Sequence, residues 1–145
     1  MAKVVKSVLV PYSAAEMFEL VDRVENYPQF LPWCSSTELL LRDEHTTEAT
    51  IHLQYLHVKQ HFTTRNAKRI PEFMSIHLKS GPFRSLEGSW HFRRLADTAC
   101  KVEFEISYEF SSGLLEKVLG PVFGMITNSL VDAFVHRAEQ VHGAR

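Results

Sequence analysis

The chain has 145 residues, of which 45% are hydrophobic and 23% charged, and its formal net charge is −1. A chain of this length can bury a core of its own, so we predict a single domain over residues 1–145. The near-neutral charge excludes a chain-wide surface for polyanions, and no DNA partner is expected. Two cysteines without metal-ligand spacing and an N-terminus without a signal-peptide core predict a cytoplasmic protein.

The start of the chain predicts one strand followed by a helical insertion. Val4–Val10 is rich in β-branched residues and is followed by a proline, which ends a strand. Ser13 and Glu16 have the spacing of a capping box, which predicts a helix running to about Val24. Residues 26–33, NYPQFLPW, contain two prolines and three aromatic residues, and they predict a turn or a single-turn helix.

The middle of the chain, from residue 35 to residue 110, has the composition of β-strands. Strands are predicted at Thr37–Arg42, Thr47–Leu56, Lys59–Lys68, Glu72–Lys79, Arg84–Leu95 and Lys101–Phe110. The connections are short, whereas a parallel crossover needs about a dozen residues. The sequence therefore predicts an antiparallel meander of six strands.

The last segment, from about Leu114 to Val141, repeats apolar residues at helical spacing. The predicted stripe is Leu119, Val122, Phe123, Ile126, Leu130, Phe134, Ala138 and Val141. An antiparallel sheet with one apolar face must cover that face, and a helix of this length could do so. Because a proline interrupts helical hydrogen bonding, we expect a kink or break near Gly120, with the main helix starting at Pro121.

Four of the predicted strands have one face without any Asp, Glu, His, Lys or Arg. These faces are Ala49, Ile51, Leu53 and Tyr55; Met74, Ile76 and Leu78; Leu86, Gly88, Trp90 and Phe92; and alternate residues from Val102 to Phe110. Acid–base catalysis needs a titratable group at the substrate, so these faces predict no catalytic residue. They fit either a filled core or an apolar cavity. The histidines lack metal-ligand spacing, so no metal site is predicted.

Positive charge is concentrated in residues 57–94, which contain eight basic and two acidic residues, whereas the rest of the chain contains eight basic and fifteen acidic residues. We expect Arg65, Lys79, Arg93 and Lys59 to project from the outer face of the sheet. Two interpretations remain open, a solvated face and an electrostatic surface for RNA or an anionic membrane.

Three segments, NYPQFLPWCSSTELL, LKSGPFRSLEGSWHF and LLEKVLGPVFGMITNSLVDAFVHRA, resemble START-like proteins. Within them, the chain is most similar to the group of the bacterial RatA ribosome association toxins and the mitochondrial coenzyme Q-binding proteins. The resemblance covers essentially the whole chain. It implies an α+β helix-grip fold, in which a curved antiparallel sheet of about seven strands wraps around a long C-terminal helix, with two short helices after the first strand.

The same resemblance implies two functions. Mitochondrial members are associated with non-enzymatic binding of ubiquinone or an isoprenoid precursor, as chaperone or carrier, which would need no further cofactor. Bacterial members are associated with binding the large ribosomal subunit and blocking its joining to the small one. A cyclase-like enzyme of the same fold is a third interpretation, and peripheral contact with the inner membrane is left open.

The resemblance also implies site residues. The ligand-binding candidates are Phe30, Leu31, Pro32, Trp33, Lys79, Gly81, Pro82, Phe83, Leu86, Trp90, Pro121, Val122, Phe123 and Ile126. Lys79 or a tyrosine hydroxyl is expected to hold a polar head group, and Trp33 and Phe83 are expected to gate the mouth of the tunnel. The ribosome-contact candidates come instead from the basic segment 57–94, and they are Lys59, Arg65, Lys68, Arg69 and Arg93.

Overall fold

The computed structural model describes all residues from 1 to 145 and contains seven strands, two α-helices and one 3₁₀ helix. In chain order these are β1 (Ala2–Val10), α1 (Ala14–Asp22), the 3₁₀ helix (Val24–Gln29), β2 (Cys34–Arg42), β3 (Thr46–Tyr55), β4 (Val58–Arg69), β5 (Phe73–Ser80), β6 (Phe83–Ala96), β7 (Ala99–Phe110) and α2 (Gly113–His142). Every predicted strand is present, and most ends lie within a few residues of their predicted positions.

The strands form one antiparallel sheet in the order β1-β7-β6-β5-β4-β3-β2. Strands β2 to β7 are a meander in which each strand pairs with the next, as short connections require. The segment containing α1 and the 3₁₀ helix carries the chain from β1 at one edge to β2 at the other. Helix α2 then packs on the inner face of the sheet, so the predicted helix-grip fold of the START-like class is confirmed.

Helix α1 is initiated by the predicted capping box. The Glu16 amide donates to Ser13 Oγ at 3.0 Å, and the Ser13 amide donates to Glu16 Oε1 at 2.9 Å. The helix ends at Asp22, slightly before the predicted end, and the 3₁₀ helix follows with Pro28 inside it. Pro28 lacks the amide hydrogen that would continue the helical hydrogen bonding, which keeps this segment short.

Helix α2 runs without interruption from Gly113 to His142, so the predicted break near Gly120 is wrong. Pro121 is exposed, and Lys117, whose carbonyl a proline leaves without its helical donor, is exposed as well. Water can therefore satisfy that carbonyl, and the helix continues.

The buried stripe of α2 differs slightly from the predicted one. Its buried residues are Leu119, Val122, Phe123, Ile126, Thr127, Val131, Phe134 and Ala138. Leu130 is partly buried and Val141 is 51% exposed, so the stripe ends before the last helical turn. By length and composition α2 could cross a membrane, but here it supplies one wall of the hydrophobic core.

The inner faces of the strands follow the predicted alternation with one correction. Ala49, Ile51 and Leu53 of β3 are buried, whereas Tyr55 is 37% exposed and does not face the interior. The reason is that β3 ends there, and Leu56 continues into the hairpin with a φ of 54°.

The edge strand β2 is irregular. Its pairing with β3 shifts register twice, between Cys34 and Ser36 and between Leu39 and Leu41, and each shift places one additional residue in β2. Leu40, the additional residue at the second shift, is 53% exposed.

Candidate functional site

A cavity of about 100 Å³ lies between the inner face of the sheet, α1 and α2. Seventeen of its twenty lining residues are hydrophobic. The lining residues are Val21, Val24, Tyr27, Trp33, Ala49, Ile51, Phe62, Thr64, Asn66, Met74, Ile76, Leu86, Trp90, Phe104, Ile106, Phe123, Ile126, Thr127, Leu130 and Phe134. Five predicted ligand-binding residues are among them: Trp33, Leu86, Trp90, Phe123 and Ile126.

A second, smaller pocket lies beside the β3–β4 hairpin and the β5–β6 turn. It is lined by Leu53, Val58, Gln60, Phe62, Pro82, Phe83, Phe110, Leu119, Val122 and Phe123, which include the predicted Pro82, Phe83 and Val122. Phe62 and Phe123 line both the cavity and this pocket. Their ring centroids are 5.9 Å apart and their planes meet at 80°, so this aromatic pair separates the two spaces.

Three predicted ligand-binding residues of the 26–33 segment contact neither space. Leu31 is buried elsewhere in the core, and Pro32 is exposed. The Phe30 ring packs edge-on against Phe134. The Arg137 guanidinium lies 5.0 Å from the centroid of the Phe30 ring. These contacts make the segment a structural link between α2 and the sheet, although its Trp33 does line the cavity.

Two further predicted ligand-binding residues, Gly81 and Pro121, also lie outside the cavity and the second pocket. Pro121 is exposed on α2. Gly81 has a φ of 148°, and a Cβ built on it would lie 2.7 Å from Cβ of Phe62. Its requirement for glycine therefore comes from the close packing of the β5–β6 turn against β4.

The prediction that Lys79 holds a polar head group in the cavity is wrong. Lys79 lies on the outer face of the sheet, where its Nζ is 2.8 Å from Glu48 Oε2. Trp33 and Phe83 also do not gate a common mouth, since Trp33 lines the cavity and Phe83 lines the second pocket.

The sequence interpretation missed the inner face of β4. Phe62, Thr64 and Asn66 line the cavity, and Lys68 continues the same alternation. Only one of these four inward residues, Phe62, is apolar. The strand therefore shows no alternation of apolar and polar residues from which its inner face could be predicted. The signal that could have identified it is the pairing register, in which Thr64 lies opposite Ala49 and Phe62 opposite Ile51.

Lys68 takes part in a buried ion pair beside the cavity. Its side chain is 1% exposed, and its Nζ lies 3.1 Å from Asp22 Oδ2. The Thr47 hydroxyl donates to Asp22 Oδ1 at 2.6 Å. The prediction of Lys68 as a ribosome contact is therefore wrong, because its charge is held inside the fold by Asp22.

Arg42 extends this network to the surface. Its guanidinium donates to the carbonyl oxygen of Asp22 and to both carboxylate oxygens of Glu25, each at 2.7 Å. The hydrogen bonds from Arg42 lower the pKa of Glu25 to about 2. We call this group the ion-pair network, and it consists of Asp22, Glu25, Arg42, Thr47 and Lys68.

No carboxylate, imidazole, amine or thiol lines the cavity. The Tyr27 hydroxyl donates to the Val21 carbonyl, and burial raises the pKa of that phenol. Burial likewise raises the pKa of the Cys34 and Cys100 thiols to about 11, which keeps both protonated at neutral pH. No group of three or more His, Cys, Asp and Glu side chains is arranged to hold a metal ion.

On the outer face of the sheet, one carboxylate holds two cations. Glu48 is almost fully covered, and its two oxygens contact Arg65 Nη1 at 3.2 Å and Lys79 Nζ at 2.8 Å. The hydrogen bond from Lys79, with a smaller contribution from Arg65, lowers the pKa of Glu48. The Arg65 and Lys79 side chains are 57% and 55% exposed, so the group presents one excess positive charge to solvent.

The other predicted ribosome contacts are exposed. Lys59 and Arg69 lie on β4, where Arg69 is 4.0 Å from Glu72, and Arg93 on β6 pairs with Glu103. Each of these two arginines is matched by one acid, unlike the Arg65–Lys79 pair.

The family profile of polyketide cyclase / dehydrase and lipid transport proteins matches residues 10–135. The chain therefore belongs to this family, within the START-like group of RatA and coenzyme Q-binding proteins that the resemblance indicated. It is 38% identical over 138 residues to the "Ribosome association toxin RatA" of Pseudomonas aeruginosa, an alignment that covers 95% of this chain and 96% of that protein.

The chain is also similar, at lower sequence identity, to one further curated protein and to one solved structure. The chain is 24% identical to the mitochondrial coenzyme Q-binding protein COQ10 homolog B of Xenopus laevis, over 95% of this chain and 58% of that protein. Among solved structures, the Zhui aromatase/cyclase from Streptomyces sp. R1128 superposes with a TM-score of 0.80 at 15% identity, covering 96% of this chain and 94% of that one. At that identity the cyclase shares the fold, and its activity does not transfer.

Proposed function

We propose that this protein binds a hydrophobic small molecule of the prenyl-quinone type in its interior, and that it carries the molecule without changing it chemically. The observation that supports this most directly is the cavity wall, which is largely hydrophobic and contains no carboxylate, imidazole, amine or thiol. Ring-closing or hydrolytic chemistry needs a group that exchanges protons near neutral pH. The phenol of Tyr27 is a poor candidate because burial raises its pKa.

The size of the cavity determines how such a ligand would be accommodated. A cavity of about 150 Å³ holds one benzene molecule, so the present volume of about 100 Å³ is slightly too small for a single ring. A prenyl chain would therefore extend into the second pocket by displacing the Phe62–Phe123 pair. Burial of the chain would stabilise the complex by about 0.8 kcal/mol for each CH₂ group.

Ligand binding can be measured with the protein's own fluorophores. Trp33 and Trp90 are the only tryptophans of the chain, and both line the cavity, so decyl-ubiquinone should quench their emission. The variant Ile76→Phe adds bulk to the wall and should weaken binding at least tenfold. The matched control Val5→Phe adds the same ring at an exposed position of β1 and should bind normally. Absence of saturable quenching in the unmodified protein would reject the proposal.

We propose association with the ribosome as a second function, in a cytoplasmic protein. It is supported by the similarity to RatA over nearly the whole chain. On the structure, the best surface for it is the outer-face pair of Arg65 and Lys79, because Glu48 orients both cations and neutralises only one of them. Two adjacent exposed cations suit the phosphate backbone of RNA.

This second function is tested by co-sedimentation with ribosomes over a range of salt concentrations. The double variant Arg65→Glu/Lys79→Glu should lose most of the binding. The milder Arg65→Gln/Lys79→Gln should lower the slope of log affinity against log salt by about 1.5, the loss expected for two phosphate contacts. Arg94→Glu is the control, since Arg94 is also an exposed arginine and pairs with Asp97 near the β6–β7 turn. Equal sedimentation of all variants would reject this surface.

A further inference from the structure

The cavity wall includes one buried polar atom without a hydrogen-bond partner. Asn66 lines the wall on the inner face of β4, and its side-chain oxygen Oδ1 is buried without a hydrogen-bond partner. Its Nδ2 lies 3.6 Å from Sδ of Met74. Because a thioether sulfur accepts hydrogen bonds and does not donate them, the nitrogen is the end that faces Met74, and the oxygen remains free.

The hydroxyls of two other lining residues are already engaged. The Thr127 hydroxyl donates to the Phe123 carbonyl at 3.0 Å, and the Tyr27 hydroxyl donates to the Val21 carbonyl. A buried acceptor without a partner is unfavourable and is normally satisfied in a folded protein. Asn66 Oδ1 is therefore the point in this apolar wall that most favours a donor from a ligand.

We propose that Asn66 selects ligands that present a hydroxyl group, and specifically the reduced, quinol or phenol form of an aromatic ring over the oxidised quinone. A quinone carbonyl can only accept, so it would place one oxygen lone pair against another. A phenolic O–H donates to Asn66 Oδ1 and leaves the remainder of the ring in contact with the hydrophobic wall. This inference rests on the proposed function, since it assigns the chemistry of the same cavity.

The test compares phenol with toluene, which have similar shapes and differ by a hydroxyl in place of a methyl group. Affinities are measured by two-dimensional NMR titration of the unmodified protein, Asn66→Leu and Thr127→Val. The ratio of phenol to toluene affinity should fall about tenfold in Asn66→Leu, because one hydrogen bond is lost. The ratio should be unchanged in Thr127→Val, because the Thr127 hydroxyl already donates to the backbone and is not available to a ligand.

The outcomes separate the inference from the function on which it rests. If both molecules bind and Asn66→Leu leaves the ratio unchanged, the role of Asn66 is wrong while apolar-ligand binding stands. If neither molecule binds the unmodified protein, Asn66 does not capture a phenolic ring and the inference fails, while the proposed function is decided by the decyl-ubiquinone titration. A second measurement uses only the unmodified protein, so it does not depend on correct folding of the variant. Decyl-ubiquinol should bind several times more tightly than decyl-ubiquinone. Equal or reversed affinities would overturn the inference.

Discussion

The two ends of the interior are stabilised in different ways. At one end, the ion-pair network joins α1 to β2, β3 and β4 through bonds that require particular atoms at particular distances. At the other end, aromatic rings meet mostly edge-on, with Phe83 and Phe123 5.0 Å apart and Tyr108 and Phe123 4.7 Å apart. Directional bonds are lost when one partner moves, whereas ring contacts can be exchanged for others. The aromatic end is therefore the side of the interior that can open to a ligand.

The largest effect is expected from breaking the ion-pair network. Replacing Lys68 with Met removes the buried cation nearest to Asp22 and leaves that carboxylate only the longer contact, 3.6 Å, with Nε of Arg42. We expect a loss of about 3 kcal/mol in the free energy of unfolding. The measurement is urea denaturation at neutral pH. Arg69→Met is the matched control, since Arg69 is adjacent in sequence but exposed, and its loss should stay below about 0.5 kcal/mol. Equal effects of the two substitutions would show that the buried pair contributes no more than a surface charge.

A smaller loss is expected at the aromatic end. Phe123→Leu keeps an apolar side chain of similar volume, so the free energy of unfolding should fall by only about 1–1.5 kcal/mol. The same change removes one ring of the pair that separates the two spaces, so decyl-ubiquinone should associate faster. Stopped-flow tryptophan quenching measures that rate, and Met125→Leu, at a partly exposed position on the same helix, serves as control. An association rate equal to that of the unmodified protein would argue against the Phe62–Phe123 pair as the barrier.

The smallest effect is a dependence of stability on pH that arises from Glu25 at the ion-paired end. Arg42 lowers the pKa of Glu25 from 4.5 to about 2 in the folded state. The stabilisation is therefore complete above pH 4.5 and is lost as the pH falls from 4.5 towards 2. Glu25 is partly exposed, so the contribution should be no more than about 1 kcal/mol. Unfolding free energies of Glu25→Gln and the unmodified protein should converge over this range, and parallel pH profiles would contradict the assignment.

The parts of the fold that the sequence predicted well are those with a single clear period. Strand β7 alternates strictly, and its inward residues from Val102 to Phe110 are all buried. Strand β4 does not alternate between apolar and polar residues, and the three cavity residues it supplies were missed for that reason. Lys68 and Asp22 are 46 positions apart, so local periodicity carried no information about their pairing.

Five of the predicted ligand-binding residues lie in the cavity wall, because packing on the interior decides where their side chains are placed. Trp33, Leu86, Trp90, Phe123 and Ile126 line the cavity. Lys79 was misplaced as a cavity residue, whereas the alternation of β5 had already put it on the outer face, where it pairs with Glu48. The unpaired oxygen of Asn66 depends on three-dimensional contacts that no sequence pattern records.

The two irregularities of β2 also bear on how the chain behaves at high concentration. An edge strand presents unpaired amide and carbonyl groups that another molecule's strand could join, and β2 contains Leu39, Leu40 and Leu41. Because Ser35 and Leu40 are additional residues, the outward row of hydrogen-bonding groups changes phase twice within nine residues. A straight incoming strand can therefore match only a short part of this edge, which disfavours the growth of intermolecular sheets.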